Sequence, residues 1–179
     1  MLSNFDIMTI EELENSLRKI VDNVHCYSCD KVKTKTIYLA GPWFTPTANA
    51  LEKAAANIYN NVAGRSDYNL FRPRVENKDT PYETFHGNIE AIDNADLVVA
   101  LISEKDVGTA FEIGYAKAQG KNIVLVGYDE SDFERKTNLM LAFSANACIT
   151  IDKLWRVYTN CINLEKDCVK TDYCWRNIE

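Results

Sequence analysis

Two carboxylates lie close together after the most apolar segment of the chain. Asp106 and Glu112 are six positions apart in the stretch DVGTAFEIGYA, which begins soon after the run LVVALI at residues 97–102. Two acids beside a glycosidic bond can act as the nucleophile and as the proton donor to the leaving group. Taken alone, such a pair would be interpreted as two solvent-exposed acids at the start of a helix, because most charged side chains are exposed.

The residues around Glu112 favour a functional role for this acid. Phe111, Ile113 and Ala116 are apolar, and glycines at 108, 114 and 120 keep the backbone accessible, so we expect an apolar environment. A carboxylate near the start of a helix is favoured in its ionised form by the helix dipole, and the ionised form is the nucleophile. We therefore interpret Glu112 as a nucleophile and Asp106 as an acid in the adjoining loop.

An α/β framework is predicted to position these acids. Strand-like runs alternate with helical patterns, which predicts a single doubly wound, flavodoxin-like parallel five-stranded sheet with helices on both faces. The strands are predicted at residues 36–40, 69–71, 97–102, 122–126 and 148–151, and the helices at about 45–63, 82–94 and 108–119. Ligands of such sheets bind beyond the carboxyl ends of the strands, so the loops after Ala40 and Ile102 are the expected site.

Two further segments lie outside this alternation. Residues 1–34 are predicted to form an N-terminal extension, in which Thr9 and Glu12 begin an amphipathic helix as a capping box and a polar connector follows. Residues 35–179 then form the main domain. Residues 128–143 are the longest irregular piece, which predicts a lid or a subunit contact.

Composition excludes several classes of function. The chain has 179 residues and a net charge of −6, with no basic stripe that could follow a phosphate backbone, so nucleic acid is not an expected partner. No apolar run is long enough for a membrane helix, and the N-terminus has no basic segment followed by an apolar core. We expect no membrane association and a cytoplasmic location.

The six cysteines predict neither a disulfide framework nor a metal centre. A reducing compartment and a core of this size favour free thiols. Cys26 and Cys29 have the spacing of half a zinc site, but Cys161, Cys168 and Cys174 are irregularly spaced. We predict no metal or cofactor, and retain the alternative that the Cys26–Cys29 segment is an interaction or metal-binding addition.

Three blocks of the sequence resemble the nucleoside 2-deoxyribosyltransferase family. They are KTIYLAGP at residues 35–42, DVGTAFEIGYA at 106–116 and NLM at 138–140, and they follow the family's order and spacing. The resemblance extends over about residues 35–151. It implies an enzyme of nucleotide salvage that moves a 2-deoxyribosyl group between nucleobases, with 2′-deoxynucleosides and free nucleobases as its ligands and no cofactor.

The resemblance also implies a role for individual residues. Glu112 corresponds to the nucleophile that forms a covalent glycosyl-enzyme, Asp106 to the acid that contacts the base, and Tyr38 to the tyrosine that orients the nucleophile. Asn138 corresponds to an asparagine that reaches the neighbouring subunit's site and binds the sugar hydroxyls, which implies a homo-oligomer.

Further positions are implied as substrate contacts. Trp43 is placed to stack on a base, although aromatic residues more often belong to a core. The family commonly has an aspartate where this chain has Asn88, and an asparagine can hydrogen-bond a base but cannot act as an acid. The remaining substrate-contacting positions in or beside the blocks are Gly41, Gly108 and Met140.

Two other functions remain open on the sequence. The same residues could support hydrolysis of the N-glycosidic bond in 2-deoxynucleosides or their 5′-monophosphates, if water accepts the sugar. A monophosphate would require phosphate contacts, for which Arg72 and Arg74 are the candidates. The other alternative is a non-catalytic nucleotide-binding module, because this kind of sheet also serves binding proteins.

Overall fold

The computed structural model describes residues 8–24, 35–63, 68–76, 79–134 and 137–169. The strands are β1 (Lys35–Ala40), β2 (Tyr68–Phe71), β3 (Leu97–Leu101), β4 (Asn122–Gly127) and β5 (Ala147–Thr150). The helices are α1 (Ile10–Asp22), α2 (Pro46–Ala63), α3 (Pro81–Asn94), α4 (Val107–Ala118), α5 (Leu139–Ser144), α6 (Leu154–Tyr158) and α7 (Leu164–Asp167). Short 3₁₀ helices span Glu130–Asp132 and Ile151–Lys153.

The five strands form one parallel sheet in the order β2-β1-β3-β4-β5. This order is that of a doubly wound, flavodoxin-like fold, so the predicted fold class is confirmed. The direction in which the chain is wound reverses between β1 and β3, whose register places Tyr38 beside Val98. The connections leaving these two strands therefore diverge and open a crevice at their carboxyl ends.

The two faces of the sheet are buried in two separate clusters. Consecutive strand residues point to opposite faces, so Ile37 and Leu39 pack with α1, α2 and α6, while Tyr38 and Ala40 pack with α3 and α4. Burial on both faces explains why β3 and β4 are continuously apolar in sequence. The face that carries Tyr38 is also the face that α4 covers.

The predicted N-terminal helix is present and packs on the outside of α2. The Thr9–Glu12 capping box forms as expected, with reciprocal side-chain and backbone hydrogen bonds. Leu13 and Leu17 are buried in the cluster shared with α2. The predicted connector at residues 25–34 lies outside the described residues, and the division of the chain at residue 35 stays a prediction.

The stretch predicted as irregular contains two short helices. Asp129 caps the 3₁₀ helix Glu130–Asp132, and Asn138 caps α5. Helices of three and six residues are too short to show an apolar period, and their ends are set by side-chain caps instead. The prediction of an entirely irregular segment was therefore wrong.

The cysteines differ from the expectation at one described position. Cys148 and Cys168 are buried thiols, but Cys161 is disulfide-bonded. The expectation rested on compartment rather than on geometry, and it is wrong for Cys161. Cys26, Cys29 and Cys174 lie outside the described residues.

The described helices also differ from membrane-spanning helices. None of them combines the length and apolar character needed to cross a membrane.

Replacement of Leu17 by alanine tests the contribution of α1. Leu17 is 3% exposed between α1 and α2, so Leu17→Ala leaves a cavity and is expected to lower the free energy of unfolding by about 2–5 kcal/mol. Urea unfolding followed by circular dichroism gives the value. Asn15→Ala, on the exposed side of the same helix, is the control. Equal midpoints for the two variants would mean that α1 does not stabilise the domain.

Candidate active site

Tyr38 and Glu112 meet at the point where the winding of the sheet reverses. Tyr38 is on β1 and is fully buried, and Glu112 is the sixth residue of α4, which follows β3. The Tyr38 hydroxyl donates a hydrogen bond of 2.5 Å to Glu112 Oε1. The ring of Tyr38 is itself fixed by stacking on Phe71, with ring centroids 5.6 Å apart. The predicted pairing of a tyrosine with the candidate nucleophile is thus present in the geometry.

Burial, rather than the helix dipole, controls the protonation of Glu112. Removal from water raises the pKa of Glu112 to about 7; the hydrogen bond from Tyr38 lowers it and the charge of Asp106 raises it. The effect of the helix dipole is confined to the first turn, and Glu112 lies beyond it. The expectation that the helix start favours the ionised form is therefore corrected. Within this environment, the Tyr38 hydroxyl is the group that favours the carboxylate.

The phenol remains a proton donor in this pair. Burial first, and then the charge and hydrogen bond of Glu112, raise the pKa of Tyr38 far above its usual value. A protonated hydroxyl can donate only one hydrogen bond. Tyr38 is therefore committed to Oε1 and orients the second oxygen, Oε2, of Glu112.

Asp106 forms the N-cap of α4. Its Oδ2 accepts hydrogen bonds from the Thr109 amide at 2.7 Å and from the Thr109 hydroxyl at 2.9 Å. A side chain at Gly108 would approach Asp106 Oδ2 to 3.0 Å, so a glycine there leaves the carboxylate room. The capping interaction fixes one oxygen of Asp106 and leaves Oδ1 as the oxygen that can address a ligand.

The loop that carries Asp106 is also tied to the loop after β1. Glu104 Oε1 accepts a hydrogen bond of 2.5 Å from the Thr45 hydroxyl and a second one from the Thr47 hydroxyl. Between Glu104 and Asp106, Lys105 adopts a left-handed backbone conformation with φ of 50°, which is strained for a residue with a side chain. The two sides of the crevice are therefore joined by Glu104.

A cavity of about 560 Å³ lies between α4 and α5. Asp106 lines one side of it, and Asn138 and Met140 line the other. Asn138 Oδ1 accepts a hydrogen bond of 2.8 Å from the Met140 amide, and Met140 is 74% exposed. The described residues thus bring Asn138 and Asp106 to one cavity within a single chain, whereas Glu112 and Tyr38 are not among the residues that line it. The action of Asn138 on a neighbouring subunit stays a prediction.

The other predicted contacts do not line this cavity and lie on α3 and in the loop after β1. Asn88 is one turn before the buried Ala91 and Ile92 of α3, which places it on the side of the helix that faces the sheet. Trp43 is half-buried and packs against Phe44 at 5.0 Å between ring centroids. A side chain at Gly41 would approach Leu101 Cβ to 3.0 Å, so the ends of β1 and β3 meet closely there. Their contacts with a ligand stay predictions.

The two arginines considered for phosphate binding are engaged with a buried acid. Arg72 forms a bidentate pair with Glu52, at 2.7 Å and 2.9 Å, and Arg74 lies 3.4 Å from the same carboxylate. Arg74 also donates a hydrogen bond to Asn49. Because Glu52 is only 3% exposed, these guanidinium groups neutralise it instead of forming an open phosphate site.

Several residues that organise the site were not predicted from the sequence. Glu104 is one, and the buried Asp132, which also lines the cavity, is another. Glu104 could have been noticed because it occupies the loop after the buried strand. Asp132 lies in a stretch that lacks any periodic pattern, so no sequence signal indicated it.

Comparison with known proteins identifies the family and supports the fold. A sequence model of the family described as nucleoside 2-deoxyribosyltransferase matches residues 37–140. A nucleoside deoxyribosyltransferase of Lactobacillus leichmannii is 30% identical over 123 residues, which are 59% of this chain and 78% of that protein. One from Lactobacillus johnsonii is 30% identical over 129 residues, 63% of this chain and 86% of that protein. The 2-deoxyribosyltransferase of Bacillus psychrosaccharolyticus has the same fold, with a TM-score of 0.56, 23% identity and coverage of 76% of this chain and 98% of that one.

The doubly wound sheet and the family match together identify an α/β enzyme. The chain belongs to the nucleoside 2-deoxyribosyltransferase family, since the family's model matches more than half of its residues. The resemblance noted in its sequence blocks is thereby confirmed. Tyr38, Asp106, Glu112, Asn138 and Met140 all lie within the matched range.

The raised pKa of Glu112 predicts a pH dependence of stability. Below pH 4.5 this carboxyl is protonated in both the folded and the unfolded chain, whereas between pH 4.5 and 7 the unfolded chain loses the proton first. The free energy of unfolding therefore falls as pH rises through this window, by on the order of 2 kcal/mol after allowance for solvent screening. Glu112→Gln removes this dependence.

Urea unfolding at pH 4.5 and pH 8 compares the wild type with Glu112→Gln. The variant is expected to gain stability relative to the wild type as pH rises. Glu90→Gln, which changes an exposed glutamate of α3, should follow the wild type. Parallel pH profiles for all three proteins would contradict the burial of an acid with a raised pKa.

Proposed function

We propose that this protein transfers a 2-deoxyribosyl group between nucleobases through a covalent sugar ester on Glu112. The observation that carries the proposal is the Tyr38–Glu112 hydrogen bond at the switch point, next to the capping acid Asp106. A partly buried carboxylate held by one donor retains an oxygen for attack, and family membership directs this chemistry to a deoxynucleoside.

The two half-reactions balance as a retaining double displacement. Oε2 of Glu112 attacks C1′ of the deoxynucleoside, the bond between C1′ and the base nitrogen breaks, and its electron pair leaves with the base. Asp106 gives the proton that this nitrogen needs. In the second half, a different base attacks C1′ and displaces Oε2, so the ester bond breaks and the Glu112 carboxylate is restored. The proton of that base returns to Asp106, and the two inversions retain the anomeric configuration overall.

The protonation state of Glu112 described above fits the first half-reaction, in which Asp106 has to carry the proton. Attack requires ionised Glu112, and a pKa of about 7 keeps much of it ionised at neutral pH. Tyr38 supports this form because its hydrogen bond lowers the pKa of Glu112. A transition state with positive charge on the sugar is stabilised by the nearby carboxylates.

Free deoxynucleosides are favoured over their 5′-monophosphates as substrates. The candidate phosphate ligands Arg72 and Arg74 are both directed to Glu52, which neutralises much of their charge. The pocket wall contributed by Asn138 and Met140 supplies an amide and an apolar surface, which suit a sugar hydroxyl and an uncharged ring.

Base exchange is tested by chromatography of the purified protein with deoxyinosine, with and without adenine. New deoxyadenosine that forms only in the presence of adenine is the expected result. Release of free deoxyribose alone would instead establish a hydrolase. If neither occurs with nucleosides or with a panel of monophosphates, the proposed function is wrong and the binding-module alternative is favoured.

Substitution of Glu112 tests the covalent step. Glu112→Gln keeps the shape of the side chain but loses the nucleophile, and turnover is expected to fall by about 10³-fold or more. Intact-protein mass spectrometry of the wild type, quenched with deoxyinosine and no acceptor, should show an added deoxyribosyl group that Glu112→Gln lacks. Glu90→Gln serves as the matched control. Near-normal turnover by Glu112→Gln would refute the assignment.

A homo-oligomer is proposed as the functional form. One surface on α4 and α5 exposes large apolar side chains next to Asn138, and exposed patches of this kind mark interaction sites. We assign this surface to a second copy of the chain, in which Asn138 completes the neighbouring site. The exposed side chains are Val107, Phe111, Leu139, Met140 and Phe143.

Complementation distinguishes action of Asn138 on the partner from action within its own chain. Glu112→Gln and Asn138→Ala are each expected to be impaired, but a mixed dimer contains one site with both native residues. Such dimers, isolated with two affinity tags after co-expression, should recover up to about half of wild-type activity. No recovery in mixed dimers would show that Asn138 serves the site of its own chain, beside Asp106.

A further inference from the structure

We propose that Asp132 is a positioning residue that holds the Asp106 loop and the Asn138 segment in place on opposite sides of the cavity. The proposal rests on the function proposed above, in which Asp106 serves the base and Asn138 the sugar. Asp132 belongs to none of the three blocks that indicated the family, and it lies on the connection between β4 and α5.

Asp132 is joined directly to the loop after β3. Its Oδ2 accepts hydrogen bonds from the Ser103 hydroxyl at 2.7 Å and from the Tyr128 amide at 2.6 Å. The Tyr128 amide is also 3.1 Å from Ser103 Oγ, so the three groups form a closed triangle. Ser103 is three residues before Asp106. The connection after β4 thereby fixes the start of the loop that presents Asp106.

Asp132 is also joined to the segment that presents Asn138. The hydroxyl of Thr137, which is buried, donates a hydrogen bond of 3.2 Å to the backbone oxygen of Asp132. Thr137 immediately precedes Asn138, whose side chain caps α5. Asp132, Thr137 and Asn138 line the same cavity as Ser103 and Asp106. One residue thus contacts the anchors of both segments.

The loop between these anchors needs to be held. Lys105 has a left-handed backbone conformation, and its amide donates a hydrogen bond of 3.2 Å to the Ile102 carbonyl. Such a conformation persists only where the surrounding contacts determine it. On the N-terminal side of Lys105, Ser103 is hydrogen-bonded to Asp132. On its C-terminal side, Asp106 caps α4. Loss of the Asp132 contact would allow the loop to relax and move the Asp106 carboxylate.

Burial of the Asp132 carboxylate costs free energy, which its hydrogen bonds offset. Asp132 is 8% exposed, and burial raises its pKa, while the bonds from Ser103 and the Tyr128 amide lower it. No contact with Glu112 or Tyr38 is among its described interactions. Its contribution to the reaction would therefore pass through Asp106 and Asn138.

The kinetic test compares two substrates that differ in whether the base must be protonated before it leaves. Deoxyinosine requires protonation of its base, whereas the base of 7-methyl-2′-deoxyguanosine is already cationic and leaves without it. Asp132→Ala should lower kcat for deoxyinosine by about 100-fold, a loss typical of a displaced catalytic group, and affect the methylated substrate much less. Asp106→Asn should show the same selectivity. An equal loss on both substrates would indicate a merely structural role and overturn the proposal.

Two variants separate positioning from folding. Asp132→Asn keeps an oxygen that can accept from Ser103 and the Tyr128 amide, so it should remain within about tenfold of the wild type. Ser103→Ala removes one corner of the triangle without a large change in volume, and should reproduce the selectivity of Asp132→Ala. The exposed Asp152→Ala is the control for a lost aspartate. If Asp132→Asn is as impaired as Asp132→Ala, the acceptor role is wrong.

Hydrogen exchange supplies a readout that does not depend on activity. In Asp132→Ala, amides of residues 103–106 are expected to exchange faster because the side-chain contact with Ser103 is lost. Amides of residues 137–141 should follow, because the backbone oxygen that accepts from Thr137 is then no longer held in place by that side chain, while β4 keeps its protection. A change in one segment only, or in neither, would contradict the proposal. If the wild type turned over no nucleoside, the proposed function would fail, but the exchange experiment would still decide whether Asp132 positions both segments.

Discussion

The hydrogen bond between Tyr38 and Glu112 imposes the strictest constraint on this domain. Burial of a carboxylate costs free energy, and the buried Glu112 carboxylate accepts a hydrogen bond from the Tyr38 phenol. That bond requires a tyrosine on the strand face covered by α4, and a glutamate on the side of α4 that faces the strand. The register of β1 with β3 satisfies both requirements at once. The arrangement gives a carboxyl that changes charge near neutral pH, which few side chains do without such an environment.

Loops, rather than regular elements, complete the site, and each loop is fixed by polar side chains. Asp106 caps the helix that it begins, and Glu104 joins its loop to the threonines after β1. Asp132 joins the same loop to the connection after β4. In each of these contacts a carboxylate is the hydrogen-bond acceptor. Three acids thus fix the loops of the site, and one of them, Asp106, is also proposed to take part in the reaction.

The sequence predicted the elements well and the contacts between loops poorly. Continuous apolar runs identified β3 and β4 because burial on both faces leaves no room for alternation. The Thr9–Glu12 capping box identified the start of α1 because its signal is local. Asp132 could not be foreseen, because its role depends on Ser103, which is 29 positions away and reaches it only when β3 and β4 pair. The protonation of Glu112 was misjudged for a similar reason, since its burial is produced by the whole face of the sheet.

The packing of α1 gives α2 an unusual position for a surface helix. Small residues occur along much of α2, and those at 50, 54 and 55 are buried in the cluster that includes Leu13 and Leu17 of α1. Removal of α1 would uncover these apolar residues. Forms of the protein that begin after α1 would thus expose an apolar, alanine-rich face. Such forms would tend to self-associate through this face, and that association could be mistaken for native assembly. A recombinant form intended for crystallisation or immobilisation should accordingly begin before Thr9.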